Sequence, residues 1–364
     1  MRKYNISKVT KISLITIFGI IMIICIAGYL ILNFYLNKMN LVEDVEDEVT
    51  VVTVTEDNVP EEVEDIILEE ATDITDSPQA VIEELEENIT QNTKINSKEI
   101  SSDDVYNILL IGCDSREAGG SGRSDAMIIV SINSKTKKII LTSLLRDIYL
   151  KLPSRKNNRL NAAYAYGGAK LLIETIEENF RINIGKYISM DFYTFIDIVD
   201  ALEGVTLNVK EEYIPIINYY IKEINQHTGE EEGNDLLSKP GNYVLNGKQT
   251  LGYVRNRYSG TDFERTARQR EVLQTVFGKI KDLNYKKIIK LSDQVLPQIT
   301  TNLSKNKIIS MILSFPTYRN YEIEQWSIPM EDTFSFVTIN KMSVIGIDFE
   351  KNIRELHNRV YGEQ

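Results

Sequence analysis

The chain has 364 residues, 43% of them hydrophobic, enough for one sizeable core with appendages. Its formal net charge of −12 is unevenly placed: residues 1–40 carry five Lys/Arg and no acid, residues 41–104 carry 22 Asp/Glu against two lysines, and residues 105–364 are left at +3. That remainder is too weakly basic for a duplex-DNA binder and suits a small anionic ligand, so nucleic acid is not an expected partner.

Residues 1–11 form a short basic tail containing Arg2, Lys3, Lys8 and Lys11. The 25 residues of the 12–36 segment, Ile12 to Leu36, are uncharged and mostly apolar, long enough to cross a bilayer as one transmembrane helix. Only Lys38 follows before the acids begin, so the positive-inside rule keeps the N-terminus cytoplasmic. The expectation is a single pass through the cell membrane with the remainder extracytoplasmic. A cleaved signal peptide is the rival reading; the run exceeds a usual signal core, and no small-x-small site closes it. Residues 37–104 read as an acidic extracytoplasmic stalk, disordered for want of apolar area to bury. Within it, Ser77-Pro78 suits the start of a short helix running to about Ile89.

Residues 105–364 read as the folded domain. Strands are expected at Tyr106–Ile111, Ala126–Ile132, Lys138–Thr142, Val205–Val209 and Thr250–Arg257. Helices are expected at Ala162–Phe180, Phe192–Leu202, Ile214–Gln226, Asp262–Lys281, Lys286–Gln298 and Ser304–Ser314, with Gly229–Asn242 a polar loop. Strands alternating with helices predict an α/β class: a central mixed β-sheet covered by helices on both faces (α-β-α). Cys25 and Cys113, His227 and His357 have no metal-ligand spacing, which excludes a structural zinc site.

Two charged segments carry the chemistry. In Gly112-x-Asp114-x-Arg116, followed by Arg123-Ser-Asp125, a strand end delivers two carboxylates and two arginines to the rim of a sheet. Paired aspartates repel unless a cation or an arginine lies between them, and a hard divalent cation such as Mg²⁺ (or Mn²⁺) would satisfy both. Ordinary turn chemistry is the competing explanation. In the second segment, Arg255 and Arg257 would share one face of a strand. Thr261-x-x-Glu264 is a capping box, after which Arg265, Arg268 and Gln269 fall at i, i+3 and i+4 near a helix N-terminus, a place that favours anions. A solvated basic face balanced by Asp262, Glu264 and Glu271 is the alternative. Arg146-Asp147 follows the third strand, Asp147 orienting an arginine, and Asn161 is a cap or a supporting donor. Arginine forks and an aspartate-held cation are the equipment for stabilising a pyrophosphate.

With Ser143-x-x-Arg-Asp147, Asn161-x-Ala-Tyr, Leu245-Asn-Gly247, Tyr253-Val-Arg-x-Arg257, Asp262-Phe-x-Arg265-x-x-Arg268-Gln269 and Thr300-Thr-Asn-Leu-Ser304, the chain resembles the LytR-CpsA-Psr family from about Asn107 to its end. The resemblance implies a phosphotransferase. It would attach an anionic glycopolymer, such as wall teichoic acid or capsular polysaccharide, from an undecaprenyl-pyrophosphate carrier to peptidoglycan. It also implies that Asp114 and Asp125 hold Mg²⁺, with Asp114, Arg116 and Asp125 catalytic. Arg116, Arg123, Arg146, Arg255, Arg257, Arg265, Arg268 and Gln269 would bind the pyrophosphate. The chain departs from the pattern at Leu145 and Glu203, neither of which carries the chemistry. The alternatives are a polyprenyl-pyrophosphate hydrolase and a non-catalytic, membrane-anchored envelope regulator or lipid-binding module.

Overall fold

The computed structural model describes residues 34, 36–42, 75–95, 100–113, 124–256, 262–283, 287, 291 and 294–362. Most of the expected membrane segment and the acidic residues 43–74 lie outside the described residues, and among the described residues no helix is long and apolar enough to cross a membrane. In chain order the first elements are β1 (Asn40–Leu41), α1 (Gln79–Lys94), β2 (Val105–Cys113), β3 (Ser124–Asn133), β4 (Lys138–Leu144), β5 (Tyr149–Lys151), β6 (Asn157–Arg159) and α2 (Leu160–Phe180). Next come β7 (Tyr187–Asp191), α3 (Phe192–Ala201), β8 (Val205–Val209), α4 (Ile214–Thr228), β9 (Gly241–Leu245), α5 (Gly247–Arg255) and α6 (Asp262–Lys281). The last are β10 (Thr300–Thr301), α7 (Lys305–Tyr318), β11 (Glu322–Ile328), β12 (Phe334–Ile339), β13 (Met342–Ile347) and α8 (Phe349–Tyr361).

Seven strands form one mixed sheet in the order β1-β10-β7-β2-β3-β4-β11. Its central strands are apolar on both faces, which is why they stand out in the sequence. In register, Leu109 faces Ile129 and Ile111 faces Met127, and these residues feed one core together with Ile140. That face is covered by α1, α2 and α8 through Ile89, Ile176 and Leu356. The alternate residues Ile128, Val130, Ile132 and Leu141 face the other way, against Leu273 and Phe277 of α6 and Met311 and Tyr318 of α7. Helices therefore cover both faces. A second core gathers α3, α4, α5, β8 and β9 around Val272 and Val276 of α6.

Four expectations change. The stalk does not extend to residue 104. α1 buries Leu85 and Ile89 in the main core, each contribution about 1.5–3 kcal/mol, and Ser77 exchanges backbone and side-chain hydrogen bonds with Thr338. The chain is tied to the domain on both sides of residues 43–74, because Asn40 and Leu41 pair with Thr300 and Thr301 at the sheet edge. Residues 250–255 are not a strand but belong to α5, a helix started by a reciprocal capping box between Asn246 and Gln249. Within Gly229–Asn242, the expected loop, the chain enters β9 at Gly241. Of Lys286–Gln298, the described part ends in a 3₁₀ turn at Leu296–Gln298.

Candidate active-site rim

β2, β4, β7 and β11 run parallel and β3 runs against them, so four carboxyl ends and the start of β3 share one edge. Open α/β sheets bind ligands outside such an edge. The β2–β3 ladder shifts between Gly112 and Cys113, placing Cys113 opposite Ser124 and Asp125 at a bulge beside the end of β2. Bulges re-aim side chains in this way next to active sites. Even there the strands press closely, since a Cβ at Gly112 would lie 3.2 Å from the Ala126 Cβ.

Arg146, two residues beyond β4, is only 5% exposed. Its Nη1 donates to Asp125 Oδ1 at 3.3 Å, and its Nε lies 3.4 Å from Asp147 Oδ2. The other Asp147 oxygen lies 3.4 Å from Arg159 Nη1. Asp147 thus orients two arginines rather than one, and Arg159, also buried, is a member of the network that the sequence did not single out. A carboxylate between two guanidinia offsets the cost of burying both. Asn161 is not the cap of α2: that position is Arg159, which makes no side-chain cap bond. The Asn161 N–H donates to the Arg146 carbonyl at 3.1 Å, holding the backbone of that arginine.

The start of α6 crosses the same rim. Phe263 packs with the main core, on the face covered by α1, α2 and α8, and lies 4.6 Å from the Phe334 ring, whereas Leu273 and Phe277, further along the helix, cover the other face of the sheet. Arg265, in the first turn, is 1% exposed and the largest fully buried side chain among the described residues. Arg268 is buried as well; its Nη2 donates to the Asn256 carbonyl and its guanidinium lies 5.1 Å from the Tyr213 ring. Gln269 is half-buried. The solvated-face alternative does not hold for Arg265 and Arg268.

Arg255 requires a correction. It lies in the last turn of α5, so the same-face argument with Arg257 fails. Its guanidinium is sandwiched between Phe192 (4.4 Å) and Tyr220 (4.3 Å) and lies 3.5 Å from Glu223. Phe192 follows the end of β7 directly, which keeps Arg255 near the rim. Asp114, Arg116, Arg123, Arg257 and Thr261 lie outside the described residues. Of the two carboxylates assigned to a cation only Asp125 is described, and among the described residues no three His, Cys, Asp or Glu gather as a metal site.

Behind the rim, Ser189 Oγ lies 3.2 Å from Cys113 Sγ and 3.3 Å from the Tyr164 hydroxyl. Burial pushes the Cys113 thiol up, with the hydrogen bonds from Ser189 and Tyr164 opposing it. Burial pushes the Tyr164 phenol up too. Neither ionises near neutral pH, so the cluster closes the β2–β7 seam rather than supplying a base.

The carboxyl edge of a mixed α/β sheet thus carries buried arginines braced by carboxylates. The chain belongs to the LytR-CpsA-Psr family, whose model, described as LytR_cpsA_psr family, matches residues 75–358. That match includes α1, in agreement with its place in the core. The chain is 31% identical over 247 residues to regulatory protein MsrR of Staphylococcus aureus, covering 66% of this chain and 69% of the relative. It is 33% identical over 207 residues to the polyisoprenyl-teichoic acid–peptidoglycan teichoic acid transferase TagT of Bacillus subtilis, covering 56% of this chain and 60% of the relative. Among solved structures, TagT bound to LI-WTA superposes with a TM-score of 0.57 at 28% identity over 74% of this chain and 95% of that one. TagT with bound octaprenyl pyrophosphate lipid superposes with a TM-score of 0.53 at 27% identity, over the same shares of the two chains.

Proposed function

We propose that this chain is a membrane-anchored phosphotransferase that moves an anionic glycopolymer from a polyprenyl-pyrophosphate carrier, of the undecaprenyl type, to peptidoglycan. The observation that carries the reading is the Asp125–Arg146–Asp147–Arg159 network at the carboxyl edge of the sheet. It holds an arginine fork rigidly where phosphate oxygens would lie, and Arg265 and Arg268 enter from the adjacent helix start. The resemblance to a structure holding a polyprenyl pyrophosphate supports this ligand class.

In this reading a peptidoglycan hydroxyl attacks the phosphorus that bears the glycan. The bond from that phosphorus to the bridging oxygen breaks, and polyprenyl phosphate leaves. The acceptor proton passes to Asp114, which follows Cys113 at the end of β2. Arg146, Arg265 and Arg268, with Arg116, Arg123, Arg255, Arg257 and Gln269, neutralise the charge that gathers on the phosphoryl oxygens. Positioning and charge neutralisation are most of what phosphoryl transfer needs. Asp125 fits a hard-cation role: it is an oxygen donor at the bulge, one residue from the β3 residue that faces Cys113. With Asp114 it would hold Mg²⁺ (or Mn²⁺), which would polarise the pyrophosphate.

The relatives named regulatory favour a second reading, a binding module without turnover. The test is release of polyprenyl phosphate from a polyprenyl-pyrophosphate glycan with and without peptidoglycan. Acceptor-dependent release is expected. Equal release without acceptor would make the chain a hydrolase, and binding with no release would make it a module.

A further inference from the structure

α7 faces the sheet with Met311 and Tyr318, and Lys307 lies over the Tyr106 ring at 3.3 Å. None of the helix's 14 residues is fully buried, and Ile312 and Leu313 are 49% and 73% exposed. At 3.6 residues per turn, Lys305, Ile309, Ile312, Leu313 and Pro316 fall on the face opposite Met311. The exposed Asn306, Ser310 and Thr317 also point away from the sheet, so Ile309, Ile312, Leu313 and Pro316 form an apolar strip along one side of the outward face, with Lys305 at its start and Arg319 just after the helix. Long cationic stems at the ends of an apolar stripe suit a helix lying in a lipid interface.

The path of the N-terminal chain says what covers that stripe. Leu36 is 1% exposed, and the Asn40 N–H donates to the Ile299 carbonyl while that of Val42 donates to Thr301. Lys305, the residue that heads the stripe, donates to Asn37 Oδ1. Phe34 is 61% exposed with Lys38 over its ring at 4.9 Å, an aromatic and a cation closing an apolar run as at a membrane surface. The four residues from Leu36 to Asn40 span at most about 14 Å. A bilayer holding the segment that ends at Leu36 must therefore lie against the corner formed by β1, β10 and α7.

We infer that α7 is an interfacial helix that seats the domain on the outer lipid surface beside its own anchor. This rests on the reading of residues 12–36 as a membrane helix. The acidic residues 43–74, which follow β1, do not act as a spacer between bilayer and domain. The site is held close to the leaflet in which a lipid-linked substrate resides.

The test uses the full chain in vesicles of phosphatidylglycerol and phosphatidylethanolamine, with a fraction of the lipids brominated high on the acyl chains. Leu313→Trp reports from the stripe. Val244→Trp, at a 63%-exposed position on β9, is the control, and the native, buried Trp326 gives the background. The indole at position 313 should be blue-shifted and quenched several-fold more than the control. Control-level quenching in a chain that floats with the vesicles would overturn the docking while leaving the anchor. A shielded but unquenched indole would mean that another part of the chain covers the stripe, and shielding that fades on dilution in lipid would mean a second copy; either also overturns it. A chain that does not float would overturn the anchor, and the docking with it.

Discussion

Arg146→Lys keeps the charge and removes the fork. Arginine reaches Asp125 through Nη1 and Asp147 through Nε at once, whereas an ammonium is a single point that can hold one carboxylate. The contacts are 3.3 and 3.4 Å long and the carboxylates are 15% and 18% exposed, so the lost contact belongs at the low end of charge-assisted bonds. A stability loss of about 1–1.5 kcal/mol follows, or a melting point lower by about 2–6 °C. Binding should suffer more. Losing a two-point phosphate contact costs about 2 kcal/mol, close to 30-fold in affinity. At a ligand concentration of about 100 times the native Kd, stabilisation of about 2.7 kcal/mol should fall to about 0.9 kcal/mol. Calorimetric melting with and without a short polyprenyl pyrophosphate measures both quantities. Unchanged ligand stabilisation would remove Arg146 from the site, and a loss of stability alone would reduce the Asp125–Arg146–Asp147 network to scaffolding.

The remaining predictions concern other parts of the molecule. Asp125→Asn should sharply reduce transfer and leave what remains insensitive to added Mg²⁺, with folding retained by circular dichroism; full activity of the native chain in excess chelator would refute the cation role. Gly247→Ala should lower stability by about 1–3 kcal/mol in denaturant titration, because its Cβ would come 2.5 Å from the Ile196 carbonyl oxygen. His357 is held below its ordinary range by burial, with the bond to the Phe180 carbonyl opposing the shift. A depressed folded value means that the unfolded state takes up the proton first, so the stability is fully present above about pH 6.5 and is lost as the pH falls from there toward the folded value. Melting from pH 8 to pH 5 should therefore fall less steeply in His357→Gln than in the native chain.

Three of the seven strands of the sheet were legible because they are buried on both faces, whereas β1, β7, β10 and β11 were not read. Continuous apolar runs marked β2, β3 and β4, and long periodicity marked α2 and α6, with boundaries off by a few residues. Tyr253-Val-Arg255 misled because a short aromatic and β-branched run looks alike in a strand and in a buried helix turn. The deciding signal was present upstream, in the Asn246-x-x-Gln249 capping box. Two glycines of α5 then allow close approach: a Cβ at Gly247 or Gly252 would meet the backbone at Ile196 or Ile217. At the site, the residue types and the arginine spacing on α6 could be read directly. The role of Arg159 could not, because Asp147 reaches it only after β5 and β6 fold back to pair Tyr149 with Arg159.

By itself the sequence determined what depends on neighbours along the chain: an apolar segment with a charge bias, helix faces, strand cores, and a set of arginines and aspartates in family order. Only the tertiary structure decided what depends on partners far apart. It drew α1 out of the acidic segment and into the core, paired Asn40–Leu41 with Thr300–Thr301 across some 260 residues, and buried Arg146, Arg159, Arg265 and Arg268. A two-residue strand has no periodicity to read, and an arginine carries no mark of its burial until other elements close around it.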